Sequence, residues 1–190
     1  MSTIEQIIKS RRSVYPQHYV NKEISKETIL WLLELANWAP NHRKTEPWRF
    51  KVFHSEESRS DLGEYLAEAF KMKAIKKGGE FPDLKYNKTL KKPLQSGCVI
   101  AICMKRDPLE RVPEWEEIAA VACAVQNMWL AASSKGIGSY WSTPSSIIEA
   151  RDFLQLEEGE KCLGLFYLGY KNELDFQSSR TPIEEKTTFK

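Results

Sequence analysis

Residues 38–50 read Trp38-Ala39-Pro40-Asn41-His42-Arg43-Lys44-Thr45-Glu46-Pro47-Trp48-Arg49-Phe50, a stretch that stops a helix, opens a donor-rich loop and starts a strand. Ahead of it, Ile29, Leu32, Leu33 and Ala36 recur at helical spacing behind a capping Ser25. Pro40 ends that pattern, because its ring clashes with the preceding turn and it has no N–H to donate. After Pro47-Trp48, the run Arg49-Phe50-Lys51-Val52-Phe53 has the composition of a strand. Between the two lie Asn41 to Thr45, a polar loop of the kind an anionic or polar ligand needs.

Upstream, residues 3–10 form a short helical pattern on Ile4, Ile7 and Ile8, with Thr3 and Gln6 spaced as a capping box. A second donor cluster, Arg11-Arg12-Ser13, follows directly. Downstream, Leu62, Leu66 and Phe70 mark a helix over residues 55–74. Cys98 to Met104 is a short apolar run suited to a buried strand, and residues 114–135 form an Ala-rich helix closed by Lys135-Gly136. Ile137 to Ser142 and Cys162 to Tyr170 read as strands. Ser146 and Glu149 are spaced as a capping box for a helix reaching Leu154. Four strands among about five helices place the chain in the α+β or α/β class, and run lengths leave strand direction open.

Residues 75–97 break this regularity. Eight lysines fall between Lys71 and Lys92 against Glu80 and Asp83, with Gly78-Gly79 and Pro82 in the middle. We read the segment as a variable surface excursion within a single domain spanning residues 1–190. Residues 171–190 are polar and hold Arg180-Thr181-Pro182, an arm too hydrophilic to form a core of its own.

Bulk composition narrows the function classes. The chain has 190 residues, 42% of them hydrophobic, and 28 basic against 26 acidic residues. A net charge of +2 gives no bulk attraction to nucleic acid, and the Lys71–Lys92 cluster has only Phe81 and Tyr86 to stack bases. No apolar stretch is long enough to cross a membrane. Cys98, Cys103, Cys123 and Cys162 each sit in an apolar run with no Cys-x-x-Cys spacing, the pattern of buried free thiols in a reducing cytoplasm. Three scattered histidines, 18, 42 and 54, argue against a structural metal site.

The chemistry-bearing residues are donors and aromatics. Two guanidiniums and a hydroxyl at Arg11-Arg12-Ser13 match a phosphate's acceptors, although arginines at a helix end also simply complement its dipole. His42 could contact a ligand, donate a proton or lie solvated. Trp141-Ser142-Thr143 follows Gly136-Ile137-Gly138, which offers close backbone approach and a flat indole face. A G-x-G-x-x-G fingerprint is absent, since position 141 is Trp. Nothing is spaced as a G-x-S-x-G elbow or a Ser/Cys triad, so a bound cofactor is expected to carry the chemistry.

Taken in order, Arg11-Arg12-Ser13, Trp38-Ala39-Pro40-Asn41-His42, Pro47-Trp48-Arg49-Phe50, Gly136-Ile137-Gly138, Trp141-Ser142-Thr143 and Gly164-Leu165-Phe166-Tyr167-Leu168-Gly169 make the chain resemble the nitroreductase family, especially its short bacterial NAD(P)H nitroreductases. The resemblance spans nearly the whole chain. It implies an α+β fold with a mixed sheet flanked by helices, and a homodimer with FMN at the subunit interface. It also implies a C-terminal arm lying on the partner subunit. By matched position, Arg11, Arg12 and Ser13 would hold the FMN phosphate and ribityl end, with Arg180 as a further cation. Pro40, Asn41, His42 and Thr45 would face the flavin from the other subunit, and Trp141, Ser142 and Thr143 would line its ring. Ala131, Ala132, Ser133, Ser134, Lys135 and Gly136 match a nicotinamide-nucleotide segment. Two positions depart from the pattern: Glu46 replaces an amide, and Trp38 stands where some relatives have Arg. The implied reaction is ping-pong hydride transfer from NAD(P)H to nitroaromatics, quinones or similar acceptors. Reductive dehalogenation or flavin fragmentation at the same cofactor, non-catalytic flavin binding and nucleic-acid binding are the alternatives.

Overall fold

The computed structural model describes residues 3–76, 78, 83–172 and 178–190. Its centre is a four-stranded sheet in the order β1-β2-β4-β3, formed by Trp48–Phe53, Cys98–Lys105, Ile137–Ser142 and Glu160–Tyr170 in chain order. All three strand pairings are antiparallel. A one-residue parallel bridge, Ser13 to Ser139, extends the sheet beyond β3. The α+β class holds, and this bridge is the parallel element that the expected mixed sheet contains among the described residues.

Along β2 the side chains alternate between two cores. Cys98, Ile100, Ile102 and Met104 pack with Leu32 of α2 (Lys26–Asn37) and Val121 of α5 (Glu114–Ser134). Val99, Ala101 and Cys103 pack with Leu62 and Leu66 of α3 (Glu56–Lys76) and with Ile147 of α6 (Ser145–Ile148). Both faces are covered, which is why β2 reads as a continuous apolar run rather than an alternating one.

The caps explain the helix starts. In α1 (Ile4–Ser10) the Gln6 N–H donates to Thr3 Oγ1 at 3.3 Å, and the Thr3 N–H donates to Gln6 Oε1 at 2.8 Å. Ser25 accepts the Thr28 N–H at 3.3 Å to open α2. The Ser146–Glu149 capping box does not form. Helix α6 begins at Ser145 behind Pro144, without a side-chain cap, and has ended by Glu149. With the helix starting at Ser145, Ser146 lies inside the first turn rather than at the N-cap, so its hydroxyl is not placed to cap the helix.

Residues 75–97 require a second correction. Residues 83–94 form α4 (Asp83–Leu94), packed against α3; residues 77 and 79–82 lie outside the described residues. A Cβ on Gly63 of α3 would stand 2.4 Å from the Leu90 carbonyl oxygen, so glycine is what lets the two backbones come this close. Cys98, Cys103 and Cys162 are buried free thiols, but Cys123 is exposed on the outer side of α5.

Gly169 fixes the edge beyond β3. A Cβ there would fall 2.3 Å from the Tyr19 ring, and one on Gly138 would fall 3.0 Å from Val14. The Tyr19 hydroxyl then donates to the carbonyls of Val14 (2.8 Å) and Tyr167 (3.2 Å). These contacts lay residues 13–19 against the sheet and set Ser13 beside Ser139.

Candidate functional site

Four of the sequence-predicted residues, Arg11, Arg12, Ser13 and Arg180, meet at that edge. The Arg11 guanidinium stacks over the Trp129 ring of α5, its Cζ 4.5 Å from the centroid, while Ser13 sits opposite Ser139. Arg11 Nη1, Trp129 Nε1 and Ser139 Oγ are buried there without a partner among the described residues. Buried polar atoms are normally paired, and an orphaned one costs ~1–3 kcal/mol. Two of these atoms are obligate donors, so the missing partner must bring acceptor oxygens. Charge points the same way: burial, and then the proximity of Arg12 and Arg180, hold the Arg11 guanidinium below its ordinary pKa. Three mutually repelling cations over orphaned donors form a seat for an anion.

A cavity of about 600 Å³ opens on the Tyr140 face of β3, the opposite face from Ser139, lined by Tyr15, Gln17, Thr89, Lys92, Gln95 and Tyr140 among others. Tyr15 follows Ser13 by two residues, and its ring meets that of Tyr140 at a centroid distance of 4.6 Å. Lys92 of α4 enters from above, its Nζ 4.6 Å and 4.5 Å from the ring centroids of Tyr140 and Tyr167. Burial, then the neighbouring Lys88, lower the Lys92 pKa to about 8. Trp141, on the opposite face of β3 from Tyr140, donates its Nε1–H to the Leu163 carbonyl at 3.1 Å. Gly164 makes this possible: its φ is +131°, and a Cβ there would lie 2.5 Å from the Ser142 carbonyl oxygen. Ser142 Oγ accepts from the Tyr140 hydroxyl at 3.2 Å, and Thr143 is exposed beyond it.

The 40–45 loop lies elsewhere. His42 Nδ1 pairs with Glu116 Oε2 at 2.6 Å, on the first turn of α5. Glu116 and Trp129 are thirteen residues apart on that helix, or about 20 Å at 1.5 Å per residue. Within one chain, Pro40, Asn41, His42 and Thr45 are therefore set at the opposite end of α5 from the Arg11 seat. The loop is tightly bent, with Arg43, Lys44 and Glu46 at φ of 53°, 54° and 42°. Asn41 Oδ1 accepts the Glu46 N–H at 3.2 Å to hold it closed. In the nucleotide segment, Ala132 is fully buried and belongs to the core, which removes its side chain from the expected ligand contacts. Ala131 and Ser134 instead line an apolar groove with Ile7, Leu35, Trp38 and Leu130. Lys135 lies over the Trp31 ring at 5.3 Å, and Gly136 takes the left-handed φ of +69° that closes α5.

The model of the Nitroreductase family matches residues 8–170. The chain belongs to this family. YfhC of Bacillus subtilis (strain 168), named "Putative NAD(P)H nitroreductase", is 31% identical over 98% of this chain and 94% of its own length. A nitroreductase-like family protein from Bacillus cereus superposes with a TM-score of 0.81 at 28% identity, covering 100% of this chain and 96% of its own. A nitroreductase with bound FMN from Bacteroides fragilis NCTC 9343 shares the fold at a TM-score of 0.70 and 24% identity, covering 100% and 99%.

In this nitroreductase-family chain, Arg11, Ser13 and Arg180 come together as the sequence suggests, whereas the places of Trp129, Ser139, Lys92 and Glu116 beside the candidate residues are seen only in the structure. Nothing in the sequence marks Trp129 or Ser139, and their lack of a partner among the described residues is visible only in three dimensions. Lys92 was hidden in a lysine run, although Lys85, Lys88 and Lys92 share one helical face at spacings of three and four.

Proposed function

We propose that the chain is a cytoplasmic FMN-dependent oxidoreductase that uses NAD(P)H to reduce nitroaromatics, quinones or similar electron-poor acceptors, working as a homodimer with two-subunit sites. The observation that carries this reading is the convergence of Arg11, Arg12 and Arg180 over buried donors without acceptors. A flavin mononucleotide fits that donor set: its phosphate supplies the anion and its ribityl chain the oxygens. When bound, the flavin would supply reversible hydride transfer at N5. Around it, Arg11, Arg12, Ser13 and Arg180 would hold the phosphate and ribityl end. Tyr15, Thr89 and Lys92 would wall the ring, with the Lys92 ammonium placed to stabilise negative charge on its polar edge. Trp141, Ser142 and Thr143 would close the strand side. Ser133, Lys135 and Gly136 are the proposed nucleotide contacts, Ala131 and Ser134 being part of the apolar groove.

Two observations support a second subunit in each site. His42 and Asn41 lie at the far end of α5 from the seat they were expected to share. Residues 172 and 178–190 of the arm are exposed, including Ile183 and Phe189 at 67% and 95%, as expected of a segment that packs on another chain; residues 173–177 lie outside the described residues. Among the described residues no helix is long and apolar enough to cross a membrane. The test is the visible spectrum of the purified protein, followed by anaerobic NADH and NADPH. A yellow protein bleached by either supports the reading, and a colourless one that cannot be loaded with FMN overturns it.

A further inference from the structure

We infer that the cavity on the Tyr140 face of β3 is a binding site for an aromatic anion, a flat conjugated ring that carries a carboxylate or phenolate. The lining sets the charge. Lys85, Lys88 and Lys92 stand along it and, among the described residues, no acidic side chain does. The chain as a whole carries 28 basic and 26 acidic residues, so a wall of one sign belongs to this place and not to the composition. Such a cleft concentrates ligands of the opposite charge. The three lysines follow one another at spacings of three and four along α4, which puts them on one helical face. Lys88 and Lys85 lie about 6 Å and about 10 Å from Lys92 along the axis, at 1.5 Å per residue.

None of the three has a counter-charge. Among the described residues no ion pair includes them. Glu68 of α3 reaches across to α4, but it accepts from the Tyr86 hydroxyl at 2.6 Å and pairs with Lys71 at 3.7 Å. Lys85 Nζ instead lies 4.9 Å from the Phe70 ring centroid, and Lys92 rests over Tyr140 and Tyr167. The lowered pKa of Lys92 agrees with a buried ammonium that faces Lys88 and lacks an anion.

The opposite wall is aromatic. The Tyr15 and Tyr140 rings meet at 4.6 Å and 52°, and Tyr167 stacks on Tyr140 at 6.0 Å and 23°. Tyr15 is 48% exposed, so part of its surface is free to meet another ring. Gln17, Thr89 and Gln95 add uncharged polar groups. An aliphatic anion would leave the tyrosines unused, and a neutral ring would leave the lysines uncompensated. Apolar walls with a few convergent charged groups are the usual make of a small-molecule site. Binding of the anion follows from the cavity itself; its role as the electron acceptor rests on the function proposed above. On that reading Lys88 and Lys85, further out than Lys92, make the enzyme prefer acidic acceptors such as nitrobenzoates.

The experiment titrates the oxidised, FMN-loaded full chain with para-nitrobenzoate by calorimetry, beside its neutral methyl ester and inorganic phosphate. The acid should bind about 10-fold tighter than the ester, the scale of one hydrogen bond to a charged group. Lys88→Gln should remove most of that difference, while Tyr15→Ala should weaken acid and ester alike. Lys91→Gln, the same charge change outside the cavity lining, should leave the preference in place. Equal affinity for acid and ester, an equal loss in Lys88→Gln and Lys91→Gln, or displacement of the acid by equimolar phosphate overturns the site. Steady-state kcat/KM for acid and ester then tests the acceptor role, which fails if the bound acid is not reduced by an enzyme that reduces the ester. A chain that binds the acid but whose flavin NAD(P)H cannot reduce keeps the site and overturns the proposed function, which separates the two failures.

Discussion

At the residue scale, two side chains show how environment sets charge. Lys92 is lowered to about 8 because burial, then Lys88, disfavour its ammonium. Between that value and an ordinary lysine's, the unfolded chain binds more protons than the folded one, so this group makes stability rise with pH across that window. An anionic ring edge beside Lys92 would favour the charged form. FMN affinity should therefore fall as pH rises through about 8 in wild type, and Lys92→Met should flatten that profile; flavin fluorescence titration measures both. Asp107 is the opposite case. Its carboxylate accepts Arg111 Nε at 2.8 Å, Nη2 at 3.1 Å and the backbone N–H at 3.0 Å. These bonds, the Arg111 side chain foremost, lower its pKa to about 2. The stability it contributes is present above the ordinary carboxylate range and is lost as pH falls through it to about 2. In Asp107→Asn, the drop in urea midpoint between pH 5 and pH 2.5, values chosen to bracket that window, should be smaller than in wild type.

At the scale of elements, α4 changes the reading most. Its lysines suggest a solvated excursion, but the helix packs on α3 at Gly63 and delivers Lys92 to the cavity. Replacing a helical glycine with alanine ordinarily gains up to ~1 kcal/mol. Here the new Cβ would meet the Leu90 carbonyl oxygen at 2.4 Å, and overpacking of this kind costs ~1–3 kcal/mol. The clash involves backbone and should win. Gly63→Ala is expected to lower stability by roughly 1 kcal/mol net and to weaken FMN binding, as read by urea denaturation and flavin titration. A stabilised variant with unchanged binding would show that α4 does not shape the cavity.

Across the whole molecule, the apolar groove between α1, α2 and α5 carries the argument for two copies. Trp38 is 77% exposed and Ile4 65%, beside Ile7 and Leu130 in the same groove. Large apolar side chains clustered at a surface mark an interface. Trp38→Glu should weaken self-association by about 30-fold or more, corresponding to ~2 kcal/mol for a central tryptophan. Sedimentation over a dilution series measures this. Flavin should be lost in step with the dimer, because His42 and Asn41 would leave the site together with the partner.

The sequence by itself determined the class, the family and the elements other than α4 and the extent of α6. Helix caps at Thr3 and Ser25, the stop at Pro40 and the apolar runs of β2 and β4 are local effects of backbone sterics and hydrophobic period, and local effects are legible in one dimension. Arg11 and Ser13 were legible as donors for the same reason. Only the tertiary structure decided that Trp129 and Ser139 are left without partners, that Lys92 turns inward, and that His42 rests on Glu116. Each of those depends on which distant groups share a space from which water is excluded, and neither spacing nor composition encodes that exclusion.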